Sequence, residues 1–502
     1  MRLNLKPLLY LPILFFFLPT FAFYFPGLGI YAFFIFTIYL VLIFLFVIDN
    51  KKIIDFILLI NNETPLKYFL LIVLFVTVNG LFTSILGISS IGTIIKNILY
   101  QEVLYILPLT IYFLYVIQKY FSYKKFIKAF IFLYWAILIV GFFAYIGQIF
   151  EISIINSVFD FLANKRLISH SLGLGIEGEQ ASNYYAFGLP RLDNLMEEPA
   201  HYASYLCVFM PLCYACNENK LKIFKNEYLN IIIKKTIVPF SWISLIVTFS
   251  PIYLIFGFII TVIYYLKKII YICKKNFITI FLFIIGLFIT ISRIDLSETY
   301  ISRIINVIAN VHSFEDFIII EPSLATRLCS FINCLCVFFK HIFTGVGIGN
   351  LPYALYHQYP FSPVPLTPEI NARSLLLISQ HKAFYNQGFV YAFLAENGII
   401  IFSILVYYYH RLIKNLLIIN NDIKIKHTFY AFWGKSLLYC FIALIINSFY
   451  ASSLLRKELF LSFSMIILFI YNYKRYYRYK NVIENYNEKE ISNKNIQKSI
   501  SL

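Results

Sequence analysis

The chain has 502 residues, of which 60% are hydrophobic, 20% aromatic and only 13% charged, against about 25% charged in soluble globular chains. Its mean hydropathy is +0.76, and apolar runs of about 18 residues or more recur along it. That pattern predicts an all-α polytopic membrane protein and excludes a β-barrel, whose strands would show weak alternation over about ten residues. The formal net charge of +17 does not mark a nucleic-acid binder. Lys and Arg sit in short clusters between apolar runs, where the positive-inside rule puts them.

In chain order, about twelve transmembrane helices are expected. The first runs from Pro7 to Tyr24 and the second from Ile30 to Val47, joined by a Pro26-Gly27 turn. The third is Lys67 to Ile85, the fourth Ile98 to Ile117, the fifth Ala129 to Phe150. A first polar break, 151–199, precedes the sixth, Ala200 to Cys216. The apolar stretch from Thr236 to Leu266 is too long for one straight crossing of a core of about 30 Å. Ser250-Pro251 lies near its middle, and proline disfavours helix at the residue before it, so this stretch reads as two spans, or as a short hairpin that does not fully cross twice. The ninth is Asn276 to Ile291. A second, larger break, 294–388, holds an amphipathic run from Ser323 through Arg327 to Phe343. The tenth span is Phe389 to Tyr409, the eleventh Ala431 to Phe449, the twelfth Leu459 to Tyr473. Residues 1–473 thus form one membrane-embedded domain. Residues 474–502 form a basic cytoplasmic tail, partly disordered.

With twelve spans and both termini cytoplasmic, the clusters around Lys51, Lys124, Lys234, Lys267 and Lys414 all fall inside and both polar breaks fall outside. Arg456 and Lys457 then fall outside as well. The first residues, from Met1 to Lys6, lead into an apolar run with no clear small-residue cleavage site, and so read as the start of a membrane helix. The eight cysteines suggest no disulfide framework; Cys213 and Cys216 read as small apolar residues on a helix.

The ionisable groups of the two external breaks are the candidate chemistry. Arg191, Glu197, Glu198 and His201 crowd the start of the sixth span, where acidic groups suit the helix dipole and could equally contribute to a site at the membrane surface. Arg303, Arg327 and Arg373 are external arginines whose forked guanidinium matches phosphate oxygens, lipid headgroups and internal carboxylates alike. The turn containing Gly345, Gly347, Gly349 and Asn350 can bring backbone amides close to an anion, but it follows no strand and is not a dinucleotide site. Glu396 interrupts an apolar span at a cost of about 2.5–3.5 kcal/mol if left ionised at a helix centre, so it must face the bundle or a polar cavity. His381 is a further candidate base. No metal site is expected.

The order of these features resembles the superfamily of O-antigen polymerases and O-antigen ligases, which transfer lipid-linked glycans. Arg191 through Glu198-Pro199-Ala200 is similar to the family's arginine followed by a Glu-Pro-Ser-like element at the head of a membrane helix. Thr248-Phe249-Ser250 resembles its Thr-x-Ser element in a broken helical hairpin. Arg327 and the run to Gly345-Val346-Gly347-Ile348-Gly349-Asn350 resemble its arginine and glycine turn, and Leu394-Ala395-Glu396-Asn397-Gly398-Ile399 its Leu-x-Glu-x-Gly-Ile close. Ligases of the family carry His-Asn where this chain has Gln387-Gly388. A neutral amide cannot replace histidine as a general base, which favours the polymerase over the ligase.

The resemblance implies a metal-independent glycosyltransferase of the bacterial inner membrane, with no cofactor and periplasmic active loops. Its substrates would be undecaprenyl-pyrophosphate-linked oligosaccharides, with a polysaccharide chain-length regulator as a candidate further partner. Arg327 and Arg191 would hold the pyrophosphate, with Glu197 or Glu198 as first candidate base and His381 as second. His201, Arg303, Gly347, Gly349, Asn350, Arg373 and Glu396 would line the substrate. A ligase acting on lipid A-core and a flippase of the lipid-linked unit are the competing expectations; the latter usually shows internal repeats and short loops.

Overall fold

In the computed structural model, the residues described are 64–98, 123–155, 185–186, 189–190, 192, 199–218, 226–275, 316, 322–358, 388–421, 429–450 and 465–474. The first, second and ninth predicted spans, and all but the start of the fourth, lie outside them.

The described chain is almost entirely helical. In order it forms α1 (Thr64–Ile85), α2 (Ile91–Asn97), α3 (Tyr123–Ile149), a two-residue antiparallel pairing of β1 (Tyr185–Ala186) with β2 (Leu189–Pro190), α4 (Pro199–Glu218), α5 (Glu227–Val247), α6 (Pro251–Lys275), α7 (Pro322–Lys340), α8 (Leu351–Gln358), α9 (Phe389–Asn421) and α10 (Phe429–Tyr450). A last helical segment is Met465–Lys474.

Four of these helices, α1, α3 (from Lys125), α5 and α9, are long and apolar enough to cross a membrane. Their outward faces are apolar too. On α1, Leu74, Phe75, Val78, Phe82 and Ile85 are all exposed. A contiguous apolar surface of this kind is unfavourable in water and suits lipid.

Helix α4 is the centre. Every residue from Tyr202 to Cys216 is buried, as expected of a helix that is apolar all round. It packs against α5, α6 and α10. Helix α10 in turn packs on α9, α9 on α1 and α7, and α5 on α3. Cys213 and Cys216 are buried free thiols on this helix, as their apolar surroundings suggested.

The predicted break at Ser250-Pro251 is present: α5 ends at Val247 and α6 begins at Pro251. Phe249, between them, adopts φ +46°, a left-handed turn rare for a bulky residue. The outer ends of the pair extend further than hydropathy alone suggested. Helix α5 starts at Glu227 rather than Thr236, because the Asn226 side chain accepts a hydrogen bond from the Leu229 amide (3.2 Å) and caps it there. Lys234 and Lys235 therefore lie within the helix, and α6 likewise runs through Lys267 and Lys268 to Lys275. At about 1.5 Å per residue, α5 is about 32 Å long and apolar enough for a full crossing, whereas the apolar part of α6 is the shorter stretch Ile252–Leu266. Helix α9 also continues past Tyr409 to Asn421, with a kink at Gly398.

Basic residues gather at one end of the bundle. Lys435 lies over the Tyr264 ring (4.0 Å), Lys268 over Tyr265 (5.8 Å) and Arg411 over Tyr407 (5.8 Å). Tyr264 donates to the Glu218 carboxylate at the end of α4 (3.1 Å). Tyr68, next to Lys67, meets Tyr407 edge-on.

Candidate functional site

The opposite end carries the described parts of the four motif segments. The amide of Leu192 donates to the carbonyl of Val247 (2.9 Å), so the chain beside Arg191 docks at the α5–α6 break, against Thr248-Phe249-Ser250. Leu192, Thr248 and Ser250 are all buried. Cys207, two turns into α4, donates to the carbonyl of Tyr253 (3.1 Å), which brings the start of α4 to the same break. One turn into α4, Ser204 accepts a hydrogen bond from Asn447 near the end of α10 (2.6 Å). The first and second motif segments therefore meet.

The third and fourth segments also meet, more intimately. Helix α7 ends at Lys340 and the chain enters the glycine turn. The amide of Gly345 donates to the carbonyl of His341 (2.8 Å), Val346 to that of Ala395 (3.1 Å) and Gly347 to that of Glu396 (2.8 Å), while Ile399 donates back to Ile342 (2.8 Å). Gly398 breaks α9 with φ +69°, and this break frees those backbone groups from the helix ladder to bond the turn. Two backbones can come this close only because both lack side chains at the contact. A Cβ at Gly345 would run into the carbonyl of Glu396, and one at Gly398 into the carbonyl of Phe343.

The glycine turn does receive a carboxyl group, and it belongs to the protein. The Gly349 amide donates to Oε1 of Glu396 (3.1 Å), and the backbone amide of Leu351, which opens α8, donates to the same carboxylate. A carboxyl oxygen at a helix N-terminus satisfies an otherwise unpaired donor. Asn350 is buried and bonds within the turn, its side chain to the carbonyl of Val346 (3.2 Å).

Two residues of the site were invisible to motif reasoning. On α1, Asn79 donates through Nδ2 to the carbonyl of Thr344 (2.7 Å). One turn on, the buried Thr83 bonds the carbonyl of Gly80 (2.8 Å) and the Ser89 hydroxyl (3.1 Å), and it fills the space that a Cβ on Gly347 would need. The available signal was polar residues at 77, 79 and 83 within a span that is otherwise apolar.

Arg327 is the sixth residue of α7 and is half-buried. One turn further on, Phe331 meets Tyr391 of α9 edge-on, ring centroids 5.5 Å apart. Val337 and Phe338 of α7 share a buried cluster with Val346, Leu351, Tyr391 and Ala395. Contacts 331–391 and 342–399 show that α7 and the start of α9 run parallel. Arg327 therefore stands level with the opening of α9, where the chain arrives from His381 and Gln387. His341, below the end of α7, is held below the usual histidine range by partial burial and then by neighbouring Lys340.

The structure thus brings Gly347, Gly349, Asn350 and Glu396 together and puts Arg327 on the helix they terminate. His201 is the third residue of α4, with its side chain outside the description. Arg191, Glu197, Glu198, Arg303, Arg373 and His381 lie outside the described residues. Among the described residues no cluster of His, Cys, Asp and Glu could hold a metal ion. Comparison of the chain with protein-family models, with curated proteins and with solved structures yields no match.

Proposed function

We propose that this chain is a polymerase of lipid-linked oligosaccharide repeat units, working as one multi-pass membrane domain of about twelve spans at the outer face of a bacterial inner membrane. A hydroxyl oxygen of the incoming unit attacks the anomeric carbon of the growing glycan. The bond from that carbon to the pyrophosphate oxygen breaks, undecaprenyl pyrophosphate leaves, and the hydroxyl proton passes to a base. The energy is already stored in the sugar–pyrophosphate bond. The protein's task is to stabilise the leaving charge with cations and to accept one proton. Arg327 and Arg191 hold the pyrophosphate; Glu197 or Glu198, or else His381, takes the proton.

The observation that carries this reading is the sorting of the bundle. The described parts of the four segments that resemble the glycan-transferase superfamily share one end, paired as Leu192 with the α5–α6 break and as the glycine turn with the Glu396–Gly398 break. The lysine-rich helix ends lie at the other, which under the positive-inside rule is cytoplasmic.

The test is a gel of the lipopolysaccharide of cells carrying Arg327→Ala. The expected result is core with a single repeat unit and no ladder. Bare core would mean a ligase, and an unchanged ladder would remove Arg327 from the chemistry.

A further inference from the structure

We propose that Asn79 on α1 and Glu396 on α9 are positioning residues for Arg327: they clamp the glycine turn from two sides and so fix the tilt of α7. The inference rests on the polymerase reading for what Arg327 does, but the clamp itself rests on geometry alone. Asn79 reaches the carbonyl of Thr344 from one side (2.7 Å). From the other, Glu396 spends its carboxylate on the amide of Gly349 (3.1 Å) and on that of Leu351, and its backbone carbonyl on Gly347 (2.8 Å). A carboxyl group engaged by two amides of its own chain holds the turn in place.

The clamp acts at the far end of a lever. Thirteen residues separate Arg327 from the end of α7, about 20 Å of helix. A tilt of about 10° at the turn would carry the guanidinium about 3 Å, and a misplacement of about 1 Å can cost about 100-fold in rate. Helix α7 also packs on α9 through the Phe331–Tyr391 ring pair and its buried face at Ala325, Cys329 and Cys334, and the bonds at 342–351 fix the end about which that packing can tilt.

The experiment uses the purified full chain in lipid nanodiscs, given undecaprenyl-pyrophosphate-linked repeat units, with each variant checked for monodisperse elution. Glu396→Ala is expected to slow elongation about tenfold. Glu396→Gln, whose amide oxygen still accepts from Gly349, should stay within about twofold of the parent with an unchanged pH profile. Asn79→Ala should slow elongation severalfold. On an Arg327→Lys background, Glu396→Ala should cost less than about twofold, because coupled residues do not add. Hydrogen exchange of the peptide 342–351 should quicken at least about tenfold in Glu396→Ala.

Equal damage from Glu396→Gln and Glu396→Ala would overturn the proposal, because the charge itself would then be the working group. So would a full tenfold loss on the Arg327→Lys background, which marks a residue that matters only for folding, and so would unchanged exchange in Glu396→Ala. Failure in the exchange arm leaves the polymerase reading standing. Full elongation by Arg327→Ala overturns that reading and leaves the clamp supported by its exchange.

Discussion

At the scale of single residues, the junction between the glycine turn and α9 is a demanding point of the described chain. Gly398 needs both a left-handed backbone and the absence of a side chain. Gly87 has nearly the same φ, +71°, but open space around it. Gly398→Ala should therefore destabilise the purified protein by about 3 kcal/mol and Gly87→Ala by only about 1 kcal/mol, read from melting in detergent. His341 gives a second prediction. Burial and Lys340 hold it below its ordinary value of about 6.5, so the folded state binds fewer protons than the unfolded one between the lowered value and 6.5. Its contribution is complete above that window and is lost as pH falls through it. The melting temperature should drop on acidification below about 6.5, and His341→Gln should flatten that portion of the profile. Glu396 was legible in the sequence as a group that lipid would not tolerate. Its partners were not, because the amide of Gly349 lies 47 residues away and backbone donors leave no mark in a sequence. Asn79 was missed because a lone amide in an apolar span carries no motif.

At the scale of elements, the break between α5 and α6 was readable because Ser250-Pro251 is a local steric fact. The helix ends were not readable to the same degree. A cap such as Asn226 and lysines whose stems can lie along an apolar face let helices continue where hydropathy falls, as at Lys234 and Lys268. Asn226→Ala should lower stability by about 1 kcal/mol, whereas Asn226→Asp, which still accepts from Leu229, should be close to neutral. Helix α7 was legible as an amphipathic run opened by Arg327. Its parallel packing on α9 follows from long-range contacts between Val337, Phe338, Tyr391 and Ala395, which periodicity does not reveal.

At the scale of the whole molecule, composition was sufficient for the helical, lipid-facing character, and charge clusters were sufficient to divide the bundle into two ends. The division makes a prediction about sidedness. Phe343, exposed beside the glycine turn, and Tyr228, exposed at the lysine-bearing start of α5, should be on opposite faces of the membrane. A membrane-impermeant maleimide should label Phe343→Cys in intact spheroplasts and Tyr228→Cys only after permeabilisation. The described parts of the first external segment, Leu192 and the start of α4, meet this end. What the two halves of the site do together is tested most directly by reconstitution. The full chain in proteoliposomes, supplied with undecaprenyl-pyrophosphate-linked repeat units and a metal chelator, should produce a ladder of lengthening glycans with one undecaprenyl pyrophosphate released per bond formed. Movement of the lipid-linked unit across the bilayer with no new glycosidic bond would contradict the account.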